Sequence, residues 1–246
     1  MGLFSYFSKE ASLERKRQSA KKRLTNMYVQ SQDRMAAASE MASFAVDGDE
    51  EAYRIFLSRF NLLNPSQVTD LQEKEDMLGI MVSIGEPLVE WTKKYVRETA
   101  DGIHWPMRFL SRVLDGDAFR DFLADMVDAT EAGYARDPKK KLVLVQLVGE
   151  HPNDRSRDAV AKFLDDHDEQ VRFHTVDVLL RVECPGAQVA LCERWANDEE
   201  SSGRIHHAIA EAFAERDWSV DVSKLDVLRG RCPMAFRIGD DGRVMR

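Results

Sequence analysis

The residues with the greatest capacity for chemistry are six histidines, three cysteines and several adjacent acid pairs. His174 and His206 each follow an arginine by two positions, in the runs Arg172-Phe173-His174 and Arg204-Ile205-His206. Equivalent places on adjacent helices would stand about 10 Å apart, the spacing of packed helix axes. That is too far for both to ligate one metal ion. His206 and His207 are sequence neighbours and point to different sides of a helix, so no metal site is expected. Cys184, Cys192 and Cys232 are odd in number and outside any CxxC spacing, which argues against a disulfide framework and for a reducing cytoplasm. Glu199-Glu200 and Asp165-Asp166 fall where solvent-facing turns are expected, and general acid-base work needs a carboxylate whose pKa is shifted by burial or a close partner. The chain holds no nucleophile elbow, phosphate loop, dinucleotide fingerprint or zinc-protease motif. No catalytic residue and no cofactor is assigned.

The charge pattern sorts the partners. The formal net charge is −8. Residues 9–23 carry +5 and residues 216–246 carry +2, which leaves −15 on the middle. An acidic body with a basic head is poorly suited to gripping a phosphate backbone along its length. Nucleic acid is therefore the less favoured partner. At the amino terminus Leu3, Phe4, Tyr6 and Phe7 precede Arg15, Lys16, Arg17, Lys21, Lys22 and Arg23. This order suits a membrane-surface anchor, a docking arm for an acidic protein or nucleic acid, or a helix that caps its neighbours. It is the reverse of a secretory signal, Tyr6 breaks the myristoylation pattern, and no run approaches the roughly 18 apolar residues of a membrane span. A soluble, cytoplasmic protein is expected, with peripheral membrane contact open through the amino terminus.

The elements that must position these residues read as helix after helix. Phe119, Phe122, Leu123, Met126 and Val127 follow the spacing of one buried helical stripe, as do Ile205, Ala208, Ile209, Ala212 and Phe213. Turn residues fall at Asp47-Gly48-Asp49, Asn64-Pro65-Ser66, Gly85-Glu86-Pro87, Asp101-Gly102, Asp115-Gly116-Asp117, Asp137-Pro138, His151 to Asp154 and Cys184-Pro185-Gly186. These breaks divide the chain into helix pairs at about 10–47, 49–84, 86–114, 117–149, 154–182 and 186–216. Leu142 to Val148 is apolar enough for a buried strand, and its position where a second helix should begin favours a helix. Phe236-Arg237-Ile238 and Arg243-Val244-Met245 around Asp240-Asp241-Gly242 form a hairpin signal.

One segment nearly repeats thirty-two residues on: Asp165 to Leu180 returns as Asn197 to Phe213, with Asp166, Arg172 and His174 matched by Asp198, Arg204 and His206. Together with Leu164-Asp165-Asp166 and Val171-Arg172, these runs resemble the HEAT-repeat family. The resemblance is specific for residues 154–216, moderate for 117–149 and weak before that. It implies an all-α, right-handed α-solenoid of about five to six helix pairs. Residues 1–48 would form a basic arm or cap, 49–216 the repeats, and 217–246 a terminal cap with a short β-hairpin or extended tail. The expected structural ladder is Asp166 with Arg172 and Asp198 with Arg204, turn carboxylates and guanidiniums that, as the resemblance implies, pair within and between neighbouring units.

Such repeats bind macromolecules on curved faces, so the expected function is a non-catalytic scaffold holding a protein partner. Second helices beginning near Glu73, Trp105, Lys141, Arg172 and Arg204 would line the surface, with Arg108, Arg112, His174, Asp177, Arg181, His206 and His207 as partner-binding residues. The alternatives are a membrane-surface adaptor through the amino-terminal arm, or a DNA-binding protein related in shape to glycosylases of alkylated bases. The last would use Trp91, Trp105, Trp195 or Trp218 with Asp101, against the competing role of tryptophan in core packing.

Overall fold

The computed structural model describes residues 3–182, 184 and 186–246, with side chains from Ala11 onward. The side chains of Leu3, Phe4, Tyr6 and Phe7 lie outside the described residues. Helix dominates: α1 (Leu3–Thr25), α2 (Ser31–Val46), α3 (Glu50–Ser58), α4 (Gln67–Ile84), α5 (Val89–Glu98), α6 (His104–Val113), α7 (Gly116–Asp128), α8 (Lys139–Glu150), α9 (Asp154–Val160), α10 (Glu169–Arg181), α11 (Ala187–Ala196), α12 (Gly203–Glu215) and α13 (Leu225–Arg231). Short 3₁₀ turns extend α3 through Asn61 and α9 through Asp165. Leu142 to Val148 lies inside α8. The one sheet among the described residues is β1 (Arg237–Ile238) paired antiparallel with β2 (Val244–Met245).

Local chemistry starts and stops these helices where the turn residues fall. Asp49, Ser66, Asn153, Asp168 and Ser202 each accept a hydrogen bond from a backbone amide of the first turn that follows. Each satisfies one of the amides a helix start leaves without an internal partner. Gly85 ends α4 at φ +75°, a conformation that costs glycine nothing.

The chain divides into two compact units, Met1–Phe119 and Arg120–Arg246. In the first, α2 packs on α4 and α4 on α6, while α1 meets α3 and α3 meets α5. The buried side chains between these two rows include Leu24, Met41, Phe56, Met77, Leu78 and Phe109. In the second unit, α8 packs on α10 and α10 on α12, while the 3₁₀ extension of α9 meets α11 and α11 meets α13. Phe163, Val176, Leu179, Leu191, Trp195 and Phe213 fill its core. The hairpin lies against α12 through β2, with Phe236 edge-on to His207 at 5.2 Å and Arg246 paired to Glu211. β1 also meets α13, so the hairpin lies against both α12 and α13.

The alignment of α10 with α12 by their caps differs from the one that sequence similarity suggests. α10 and α12 are both thirteen residues long, and their caps Asp168 and Ser202 lie thirty-four positions apart. The turn before α12 is longer by two residues than an offset of thirty-two allows. Structural equivalents are therefore Arg172 with His206 and Asp166 with Glu200, not Arg172 with Arg204 and Asp166 with Asp198.

Candidate functional site

Two ionic clusters, one in each unit, are the most concentrated polar chemistry among the described residues. In the first unit, Arg34 on α2 grips Glu73 on α4, its Nε reaching both carboxylate oxygens at 3.1 Å and its Nη2 reaching Oε1 at 2.5 Å. The remaining guanidinium nitrogen, Nη1, donates to the carbonyls of Met27 at 3.2 Å and of Val29, which closes the turn between α1 and α2. Arg59, just past α3, donates to Glu73 at 2.6 Å and Asp70 at 2.9 Å, and Lys74 completes the group on Asp70 at 2.7 Å. All five side chains are buried.

The second unit repeats the plan. Arg172 on α10 grips Glu200 in the turn before α12 with two hydrogen bonds, of 2.8 and 3.1 Å. Its remaining nitrogen donates to the carbonyls of Asp166 at 2.9 Å and His167 at 3.1 Å. Arg194 on α11 reaches the same Glu200 at 2.8 Å and Asp165 at 3.1 Å. Arg34 and Arg172 both stand four residues past the cap of their helix, at Gln30 and Asp168. In both clusters a second-row arginine closes its own turn by carbonyls and reaches a carboxylate of the next helix pair. A second arginine from that next pair holds the carboxylate from the other side.

The expected ladder is thus corrected. Asp166 does not accept the Arg172 fork through its carboxylate. That group takes Lys141 at 2.5 Å and the amides of Gly133 and Asp168 at 3.1 and 2.9 Å. Asp198 and Arg204 do not pair: Asp198 is 94% exposed and meets Arg231, while Arg204 meets Glu169 and lies over the Phe173 ring. The physical reason is the longer turn, which carries Glu200 inward and leaves Asp198 in solvent.

Burial alone would raise the carboxyl pKa of Glu200. The Arg172 hydrogen bonds, the Ser202 amide and the charge of Arg194 outweigh it and bring the group from 4.5 to about 2. Glu73 and Asp70 shift the same way: burial pushes each up, and the hydrogen bonds of Arg34 and Arg59 on Glu73, and of Lys74 and Arg59 on Asp70, carry each below the ordinary value. A carboxylate held this firmly ionised is a poor proton acceptor near neutral pH. These clusters join neighbouring helices, and the buried carboxylates Glu73 and Glu200 are each held by two arginines. Among the described residues no group of three or more His, Cys, Asp or Glu side chains is placed to hold a metal ion.

The candidate partner-binding residues divide. Arg112, His174, Asp177, Arg181 and His207 are exposed and Arg108 is half-exposed. Asp177 and Arg181 pair with each other at 2.5 Å. His206 is only 9% exposed and is not a surface residue. It stands where Arg172 stands one repeat earlier, and burial lowers its pKa, with the Glu200 charge opposing and Arg231 and Arg194 assisting. Of the residues marking second-helix starts, Glu73, Trp105, Lys141 and Arg172 are buried, so they line no surface. Trp105 and Trp195 are core residues, Trp105 stacking on Phe60 at 6.0 Å. Asp101 closes its own turn on the Gly102 amide at 2.6 Å.

Sequence reasoning missed a surface on α4. Val68 is 82% and Leu71 57% exposed, and both lie on the outward side of the helix with Glu75, Gly79 and Val82. Glu75 accepts Arg108 of α6 at 3.0 Å, which sets this apolar ridge beside Arg108 and Arg112. The signal was in the row Val68, Leu71, Glu75, Val82, whose helical spacing on the side opposite Asp70 and Glu73 is apolar where a solvated face would be charged.

No family, curated protein or solved structure matches this chain.

Proposed function

We propose that the chain is a HEAT-like α-solenoid that acts as a non-catalytic scaffold, holding a protein partner against its second-row helices. The carrying observation is the α4 ridge. Val68 and Leu71 stand in water on a chain in which 32% of residues are charged. Contiguous exposed apolar side chains of this kind mark interaction sites more often than scattered single ones do. Arg112, which has no ion-pair partner among the described residues, and Arg108, shared with Glu75, border the ridge on α6. An apolar anchor row beside guanidinium groups suits an amphipathic helix with acidic residues flanking its apolar stripe.

The row-on-row packing of α2, α4 and α6, and of α8, α10 and α12, supports the repeat reading. So does the recurrence of the Arg–Glu–Arg cluster. A preformed surface of this type binds without a large ordering cost.

The test is a photo-crosslinking amino acid at position 71 or 112 in the native cell, with position 90 on α5 as an exposed control. We expect one discrete protein product at 71 and 112, absent at 90 and abolished by Val68→Glu with unchanged melting. Equal products at all three positions would overturn the proposal.

A further inference from the structure

A second surface, independent of the α4 ridge, lies on α1. Arg15, Lys16, Lys21 and Lys22 are exposed, and among the described residues none has an ion-pair partner. The other two cations of residues 11–25 are used internally: Arg17 pairs with Glu14 and with Asp49 at the start of α3, and Arg23 pairs with Glu40 of α2 at 2.6 Å. Ala20 and Leu24 are fully buried, so the helix is seated on the first unit by a narrow apolar edge and two ion pairs. Its solvent side carries Ser12, Gln18, Ser19 and Thr25 between the free cations, and Glu14 is its one acid in residues 11–25. Lys16, Ser19 and Arg23 also line an open cleft of about 470 Å³ against Glu40, Ser43 and Phe44 of α2.

Four unneutralised cations on one helix of a chain with net charge −8 are a local field of opposite sign to the rest of the molecule. Surface ion pairs form readily where acids are within reach. Here the nearby acids Glu14 and Glu40 are taken by Arg17 and Arg23, and among the described residues these four cations have no ion-pair partner. We propose that the solvent side of α1 docks the protein onto an anionic membrane surface, with phosphate-bearing headgroups meeting Arg15, Lys16, Lys21 and Lys22. A membrane is favoured over nucleic acid by two observations. The basic run holds no interleaved aromatic for base stacking in residues 11–25. The same helix begins, in sequence, with Leu3, Phe4, Tyr6 and Phe7 ahead of the cations, and stable membrane attachment takes an apolar signal together with a polybasic one. Each cation near an anionic leaflet strengthens binding about fivefold, so four give on the order of several hundredfold. No described helix is long and apolar enough to cross a membrane, so the contact is peripheral.

The test uses the full chain and flotation with vesicles of phosphatidylcholine containing about 30% phosphatidylserine, against phosphatidylcholine alone, at about 0.1 and 0.5 M salt. We expect binding to the anionic vesicles at low salt, its loss at high salt, and a fall of more than a hundredfold in the Arg15→Glu, Lys16→Glu, Lys21→Glu, Lys22→Glu variant. Circular dichroism checks that this variant keeps its helix content. A Phe4→Ala, Phe7→Ala variant, with every cation in place, should bind about tenfold or more weakly. Three results would overturn the proposal: no preference for anionic over neutral vesicles, undiminished binding by the charge-reversed variant, or tighter binding to a short DNA duplex than to the vesicles at equal salt.

Discussion

Glu200 carries more of this protein than its place in a turn suggests. Two arginines from different helices converge on it, and with it removed Arg172 would be buried with carbonyls alone while Arg194 kept only the exposed Asp165. Replacing such a pair by apolar side chains can be neutral, but deleting one member is not. Glu200→Gln is expected to cost about 3–5 kcal/mol in urea unfolding, while Asp198→Asn, in the same turn but in solvent, stays within about 0.5 kcal/mol. Similar costs for the two would contradict the register described above. Acid works through two groups here. Glu200 has a folded pKa below its unfolded value, so its contribution is in place above 4.5 and is lost as pH falls toward about 2. His206 is depressed as well, mainly by burial, so the folded state resists its protonation and loses stability as pH drops below 6.5. The urea midpoint of the native protein should fall between about pH 7.5 and 5.5, and His206→Gln should reduce that fall. An unchanged pH slope in the variant would remove His206 from the account.

At the scale of elements, turns were the most legible feature, because Gly, Pro, Asp and Asn act locally and need no tertiary partner. Each cluster named from the sequence falls at a helix end or between two helices, whereas the break between α1 and α2, at residues 26–30, has none. The turn between α5 and α6 shows how tight these breaks are. Gly102 sits at φ +70°, and a Cβ there would overlap the Asn61 amide, which donates to Tyr95 Oη at 3.4 Å. Gly102→Ala should cost about 1–3 kcal/mol by thermal unfolding, from backbone strain and the displaced amide. A neutral result would mean the turn reshapes freely. What the sequence concealed is which charges go inside. Arg34, Lys141 and Arg194 each directly follow a charged residue, Asp33, Lys140 and Glu193, so nothing in their local sequence marks them as buried. Their partners lie between six and thirty-nine residues away, and no local rule names them. The thirty-two-residue similarity also misled: matching letters aligned Arg172 with Arg204, whereas the caps align it with His206. Side-chain identity drifted across a turn that had gained length, and only backbone position records the gain.

For the whole molecule, the two docking proposals rest on different surfaces of the first unit and fail separately. Val68→Glu should abolish the crosslinks at positions 71 and 112 and leave vesicle flotation intact. The reversed cations of α1 should do the opposite. The candidate site was only partly legible, since Arg108 and Arg112 stood out by charge while Val68 and Leu71 passed for ordinary helix residues. An exposed valine has no signature until its neighbours are known to face away from the core.

The clusters also bear on how the chain comes apart. The ends of a chain ordinarily open before its middle. In this chain the first pair holds Arg34 and the last holds Glu200. Peeling off α1 and α2 abandons Glu73 with half its counter-charge, and peeling off α11 and α12 leaves Arg172 with carbonyls alone. Both termini are therefore latched, and hydrogen exchange should find slow amides in the pairs where a plain repeat array would be loosest.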